Sequence, residues 1–160
     1  MPIPAYLWLK DDGGAIIKGS VDVTAREHSI EVQGFSHGVT LPVDGATGKI
    51  TGTRTHMPVS FEKEFDSSSP YLYKAVTSGQ TLTSAEFKWY CISDAGQEVE
   101  YFNMLFEGVK IVSVIPGMAN IKANSHQTNH VESVAMMYEK VTWRYCDGNV
   151  QHTDAWNERS

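Results

Sequence analysis

Three short stretches of this sequence hold residue types that could do chemistry, and each lacks the surroundings that chemistry needs. Gly34-Phe35-Ser36-His37-Gly38 has the Gly-x-Ser-x-Gly spacing of a nucleophile elbow, in which a strained strand-to-helix turn lifts a serine hydroxyl toward substrate. The residues that follow, Val39-Thr40-Leu41-Pro42, are two β-branched residues and a proline, a poor start for the helix the elbow requires. His126 and His130 stand four apart, as two zinc-binding imidazoles do on one helix face, but Gln127-Thr128-Asn129 between them holds no general base. The preceding Ala123-Asn124-Ser125 reads as loop, so two solvated histidines are the expectation there. Gly45-Ala46-Thr47-Gly48-Lys49 has the glycine-lysine pair of a phosphate loop with the wrong glycine spacing, and Ile50 stands where a magnesium-holding Ser or Thr belongs. The residues therefore point to no catalytic group, no cofactor and no metal.

The bulk properties fit a single soluble domain. At 160 residues, with 41% hydrophobic and 20% charged residues, the chain can build one core that removes about 70% of the unfolded surface from water. A net charge of −6 and a pI near 5.4 repel phosphate, and Lys and Arg nowhere cluster, so nucleic acid is excluded as an expected partner. The N-terminal stretch lacks a basic leader segment and no window approaches a bilayer span, so the expectation is cytoplasmic synthesis, no membrane insertion and, if the protein is exported, a leaderless route. Cys91 and Cys146 lie in apolar β-like runs without metal-ligand spacing. They read as two reduced, buried small hydrophobes, with a disulfide between them left open by the sequence.

The elements that would position any site are strands. Asp11-Asp12-Gly13-Gly14 separates the apolar runs Ala5–Lys10 and Ala15–Lys18 as a hairpin turn does. His28–Phe35 alternates until Gly34 breaks the register, and Val59, Phe61 and Phe65 mark another strand. Ala85, Phe87, Trp89 and Cys91 alternate with Glu86, Lys88 and Tyr90, the period of a half-buried strand. After Asp94-Ala95-Gly96 comes a long run from Val99 to Ile115, interrupted only by Gly108, and a last long strand from Val131 to Tyr145. One segment, residues 67–78, reads as a helix: an N-cap serine, Pro70 in the first turn and Gly79 past the end, with Leu72, Ala75 and Val76 on one face.

Two features point beyond a single chain. Residues 43–55 are rich in Gly and Thr with little to bury, and a loop this long is usually functional or flexible: its Thr, Ile and Val suit a projecting hairpin that would serve a neighbouring subunit, and a slack surface loop is the alternative. From Val134 to Tyr138 both faces of the last strand are apolar, so its second face is covered either by this chain's own helix and sheet or by another chain. Asp44, Thr47, Lys49, Thr51 and Arg54 of the loop, with Val134 and Met136 of the strand, are the candidate subunit contacts.

Two ordered stretches carry a family resemblance. His56-Met57-Pro58-Val59-Ser60-Phe61-Glu62-Lys63-Glu64-Phe65-Asp66 continues through Ser69-Pro70-Tyr71 to Ala85-Glu86-Phe87-Lys88-Trp89-Tyr90. His130-Val131-Glu132-Ser133-Val134-Ala135-Met136-Met137-Tyr138 leads through Trp143 to Asp147-Gly148 and Asp154-Ala155-Trp156. Both are similar to signature segments of the haemolysin-coregulated protein (Hcp) family of bacterial type VI secretion. Glu100-Tyr101-Phe102 and Val109–Val114 resemble it as well.

The resemblance implies a mainly β fold of two packed antiparallel sheets forming a barrel, with the short helix against its side. It further implies homohexameric rings that stack head to tail into a tube, a surrounding contractile sheath, a spike protein at the tip and effector proteins chaperoned in the lumen. With Ser160 four residues past Trp156, the chain resembles the plain structural form without an appended toxin domain. Two other readings compete: a monomeric β-barrel that binds a small ligand or peptide, and, weakest, a serine hydrolase using Ser36.

Overall fold

A computed structural model describes residues 3–120, 122 and 130–156, so the expectation attached to His126 lies outside the described residues. The chain starts with β1 (Ala5–Lys10) and β2 (Ile16–Ile17), paired antiparallel through Leu9–Ile17 and Lys10–Ile16. Asp11 builds the turn between them: its carboxylate accepts the N–H groups of Gly13 and Ala15, both at 2.9 Å. Then come β3 (Ile30–Val32), β4 (Gly34–Ser36), β5 (Val39–Thr40), β6 (Thr55–His56) and β7 (Val59–Glu64). After the helix α1 (Ser69–Ser78) follow β8 (Thr81–Ile92), β9 (Glu98–Gly117), β10 (Val131–Met137), β11 (Lys140–Tyr145) and β12 (Val150–Ala155).

All pairings are antiparallel, and the main sheet runs β1–β8–β9–β10–β7. The segment from Ile30 to Ser36 joins its two edges. Its first half pairs with β1 (Ala5–Val32), its second half pairs with β7 (Gly34–Glu62), and between them Gln33 N–H donates to the Glu62 carbonyl at 2.8 Å. The sheet thus returns on itself as a barrel, with β2 and β12 left as strands that pair on one side only. A second, two-stranded sheet is formed by β5 and β6.

Period-2 alternation decides what fills the interior. Leu7 and Leu9 of β1, Phe61 of β7, Ala85 and Phe87 of β8 and Phe106 of β9 all point inward and are buried. Phe87 meets Phe61 and Phe106 edge-on at 5.6 and 5.8 Å between ring centres, the geometry ring quadrupoles favour. At one end the inward position of β7 is Lys63, which is fully buried. Its ammonium donates to Glu132 Oε2 (2.9 Å), Ser69 Oγ (3.2 Å) and the Glu64 carbonyl (3.0 Å), with Asp66 Oδ1 at 3.1 Å. A buried ammonium is tolerable only with such a full set of partners.

The helix begins at Ser69, two residues later than residues 67–78 suggested, because Ser67 is held by the loop: its hydroxyl donates to the Lys18 carbonyl at 2.7 Å. It ends at Gly79 (φ 68°), whose N–H caps the Ala75 carbonyl. Leu72 and Ala75 are buried, Leu72 alone worth about 1.5–3 kcal/mol of transfer free energy.

The stretch expected as one strand from Val131 to Tyr145 is β10 and β11, laid end to end along β9 and broken at Tyr138–Glu139. The break lies opposite Gly108 (φ 64°), where a side chain would collide with the Glu139 carboxylate. It is also where the second neighbour changes: β10 lies between β9 and β7, β11 between β9 and β12. The doubly apolar reading of this strand is corrected in one respect. Val134 and Met136 face the barrel interior at 0% exposure, so they are core and cannot contact a second chain. The face left for a neighbour is the opposite one, with Val131, Ala135 and Met137 half-buried and Ser133 exposed.

Candidate assembly interface

Between β4 and β7 the chain leaves the barrel as an arm. Val39 pairs with His56 and Thr40 with Thr55, Val43 bridges Ile50, and Thr51 N–H donates to the Pro42 carbonyl at 2.9 Å. The tip is closed by local bonds. Asp44 N–H donates to the Lys49 carbonyl (2.7 Å), Gly48 N–H to the Asp44 carbonyl (2.8 Å) and Ala46 N–H to Asp44 Oδ1 (2.9 Å). Those bonds, the Ala46 amide first and then Thr47, hold the Asp44 carboxyl below the usual carboxylate range. Gly48 at φ 72° takes the left-handed position the turn requires. The arm is thus an ordered hairpin rather than a slack loop.

Its composition does not suit water. Leu41 is 52% exposed, Val43 55% and Ile50 62%, with Val39 and Met57 also exposed nearer the barrel. A run of exposed aliphatic residues on a projecting hairpin has the character of a contact surface. Asp44, Thr47, Lys49 and Thr51 are exposed beside this stripe.

Arg54 sits elsewhere. Its guanidinium is turned back onto the barrel, where Nε donates to Asp154 Oδ2 (2.9 Å) and one terminal nitrogen to Asp154 Oδ1 (3.0 Å) and the Ala155 carbonyl (2.7 Å). It anchors the arm rather than reaching from it. His56 completes the anchor: Nε2–H donates to Asp154 Oδ2 at 2.7 Å and Nδ1 accepts from the Tyr138 hydroxyl at 2.6 Å. That tautomer follows from the partners. An ionised carboxylate only accepts, and burial pushes the Tyr138 hydroxyl far up, with the Asp154 charge adding to it, so the phenol keeps its proton to donate. The Asp154 carboxyl is in turn held below its ordinary range, by Arg54 first and by His56, against the opposing effect of burial. Trp156 lies edge-on to His56 at 5.0 Å.

Ser36 and His37 part company at the other root of the arm. Alternation sends Phe35 and His37 inward and leaves Ser36 exposed on the opposite face, so His37 cannot serve as its base. The strand β5 follows where an elbow would need a helix. The hydrolase geometry is absent at this serine. His130 packs its ring against Phe65 at 5.7 Å, and no group of metal-ligating side chains occurs among the described residues. Cys91 and Cys146 are both free thiols, each half-buried.

The barrel's two outer faces differ in kind. Over β1, β8, β9 and β11 it is cross-linked by charge: Glu100 meets Arg144 at 3.3 Å and Lys88 at 3.9 Å, and the Lys88 ammonium lies 4.6 Å from the centre of the Trp8 ring. Over β4, β7 and β10 the outward residues include the short Ser36, Ser60, Ser133 and Ala135, with Glu62, Glu64, Val131 and Met137 among them. Sequence reasoning placed the arm but missed this face, since the choice of β10's two sides depends on which one the barrel buries. It also missed β12 as a strand, whose residues Val150–Thr153 are all exposed and carry no apolar period.

The chain is an antiparallel β-barrel with one helix at its side and an apolar hairpin arm rooted by an ion pair. The family model described as "Type VI secretion system effector, Hcp" matches residues 6–145, and the chain belongs to that family of type VI secretion tube proteins. It is 36% identical to the "Major exported protein" of Pseudomonas aeruginosa, an alignment covering 98% of this chain and 96% of that protein. Among solved structures it is similar to Hcp1 of the E. coli EAEC 042 pathovar, in a double tryptophan variant. That match has a TM-score of 0.88 and 64% identity over 97% of this chain and 99% of the other. The secreted protein Hcp3 of Pseudomonas aeruginosa aligns with a TM-score of 0.76 and 29% identity, covering 97% and 99%. Membership fits the mainly β fold expected from the sequence; the family is one of structural secreted proteins, not of enzymes.

Proposed function

We propose that this chain is the ring subunit of a secretion tube. Six copies close into a ring through heterologous contacts, rings stack head to tail, and the resulting tube is driven out by a contractile sheath behind a spike protein. Such contacts close when the rotation between neighbours divides the circle, and stack when a second surface repeats along the axis. The observation that carries this reading is the arm: an ordered hairpin with an exposed aliphatic stripe, held to its own barrel by Arg54 and Asp154 so that it is presented rather than folded back.

The face over β4, β7 and β10 would form the wall of a channel, because Ser36, Ser60, Ser133 and Ala135 leave the bore wide and the serine hydroxyls hydrogen-bond many surfaces weakly. Effector proteins would be held there before export, leaving the cell with the tube by a leaderless route. Exposed Asp44, Thr47, Lys49 and Thr51 border the aliphatic stripe and would fix its register on a neighbouring subunit by charge and hydrogen bonds.

The test is V43K/I50E, which replaces the aliphatic stripe at two exposed positions by opposite charges suited to the cross-strand bridge between them. Sedimentation at several concentrations should show weaker stacking with an unchanged melting temperature. Unaltered assembly would remove the arm from the interface. A wild-type chain that stays monomeric would favour the alternative, a barrel that binds a small ligand or peptide.

A further inference from the structure

His37 is the least comfortable polar group in the fold. Both of its ring nitrogens are buried, and neither has a hydrogen-bonding partner among the described residues. The ring is held instead by aromatic neighbours: Phe106 of β9 edge-on at 5.3 Å, Tyr138 at 5.7 Å, Trp143 of β11 stacked at 6.0 Å and Phe35 at 6.4 Å. Buried nitrogens without a polar partner suit a neutral ring and oppose a charged one.

Its position gives that discomfort a consequence. His37 is the last inward residue before the arm leaves the barrel, and Arg54 and His56 are the anchored residues where the arm returns. Between them Met57 N–H donates to the Gly38 carbonyl at 2.9 Å and Val39 pairs with His56. Gly38 and Met57 are in close contact, since a side chain at Gly38 would sit 2.9 Å from the Met57 sulfur. Moving the His37 ring therefore moves the first rung of the hairpin.

We propose that His37 and His56 form a proton-sensitive hinge: a proton on His37 drives its ring out of the aromatic cage and loosens residues 38–57 from the barrel.

The groups that face His37 leave its proton without a partner. From β6 comes His56 and from the residue before that strand Arg54, both already bound to Asp154. From the β10–β11 junction comes Tyr138, whose hydroxyl is given to His56; from β12 comes Asp154, whose two oxygens already accept three N–H bonds. His152 stacks on the far partner Trp143 at 6.1 Å, and Phe106 and Trp143 themselves offer only ring surface. Glu107 and Lys140 are paired with each other on the outer face at 3.6 Å. Among these described residues no carboxylate is spare, the Glu139 carboxylate lying over Gly108. Burial first, and His56 second, hold the His37 imidazole below its ordinary range. The sign follows: the hinge is closed above the ordinary histidine pKa near 6.5 and opens progressively as pH falls below it toward the depressed value. The hinge is a property of one chain; only its consequence, acid-weakened stacking, rests on the tube reading.

Hydrogen exchange of the intact chain at pH 7.5 and 5.5, corrected for the intrinsic pH dependence and at matched mass by light scattering, tests it. In the wild type, protection of amides 38–57 should fall by about tenfold while β8 and β9 are unchanged. In H37F, a non-titrating ring of similar shape, protection should be the same at both pH values, and H37L serves as a second non-titrating variant. Unchanged protection in the wild type, or an equal loss in both variants, overturns the hinge. Acid-opened exchange in a chain that never assembles would retire the tube reading and leave the hinge standing.

Discussion

Arg54 and Asp154, one hundred positions apart in sequence, meet through two parallel N–H···O bonds of 2.9 and 3.0 Å and so fasten the hairpin arm to β12. The geometry is the fork-to-fork match that makes arginine and carboxylate specific for each other. Both side chains are partly exposed, so solvent screens the pair and its worth lies in placement more than in stability. Arg54→Ala should cost about 1 kcal/mol, read as a melting temperature lowered by 2–4 °C. Assembly, measured by sedimentation, should weaken more than that loss of stability accounts for.

Acid should act on the same anchor by a second route. Because the Asp154 carboxyl lies below its ordinary range in the folded chain, its contribution is complete above pH 4 or so and is lost as pH falls through the depressed value. Asp154→Asn should flatten that part of the stability curve. It should leave untouched the loss between about pH 6.5 and 5 that His37 produces. Denaturant melts at half-unit pH steps separate the two.

Tyr138→Phe leaves the ring stack in place but removes the hydroxyl that His56 Nδ1 accepts from. A buried acceptor without its donor costs about 1–3 kcal/mol, measurable by chemical denaturation.

The ion pair at the barrel end behaves differently. Lys63→Met leaves Glu132 buried without its ammonium and should cost about 3–5 kcal/mol. The double change K63M/E132L removes both charges and should recover most of that loss, since apolar side chains of similar size often replace a buried pair at little net cost. A double variant as unstable as the single one would mean that Asp66 and Ser69 need the ammonium as well.

How much of this was legible beforehand depends on how local the signal is. The turn at Asp11–Gly14, the helix with Pro70 in its first turn and Gly79 past its end, and the alternation of Ala85 to Cys91 are written within a few residues, and all three formed; the expected serine cap did not, since Ser68 at the N-cap makes no side-chain capping bond. The arm was legible for the same reason, as a stretch with too little to bury. Val134 and Met136 were misplaced because alternation says that two faces differ without saying which one turns inward. That choice is made by β7 and β9 on either side, far away in sequence. The anchor of Arg54, His56, Tyr138 and Asp154 was invisible as a unit, since its members are brought together only by closure of the barrel.

The central claim is assembly, and the solution mass of the purified chain at neutral pH tests it most directly, by light scattering backed by negative-stain images. A mass near six times 17.8 kDa with annular particles is the predicted result. A single-subunit mass that persists at high concentration, with no rings, would contradict it.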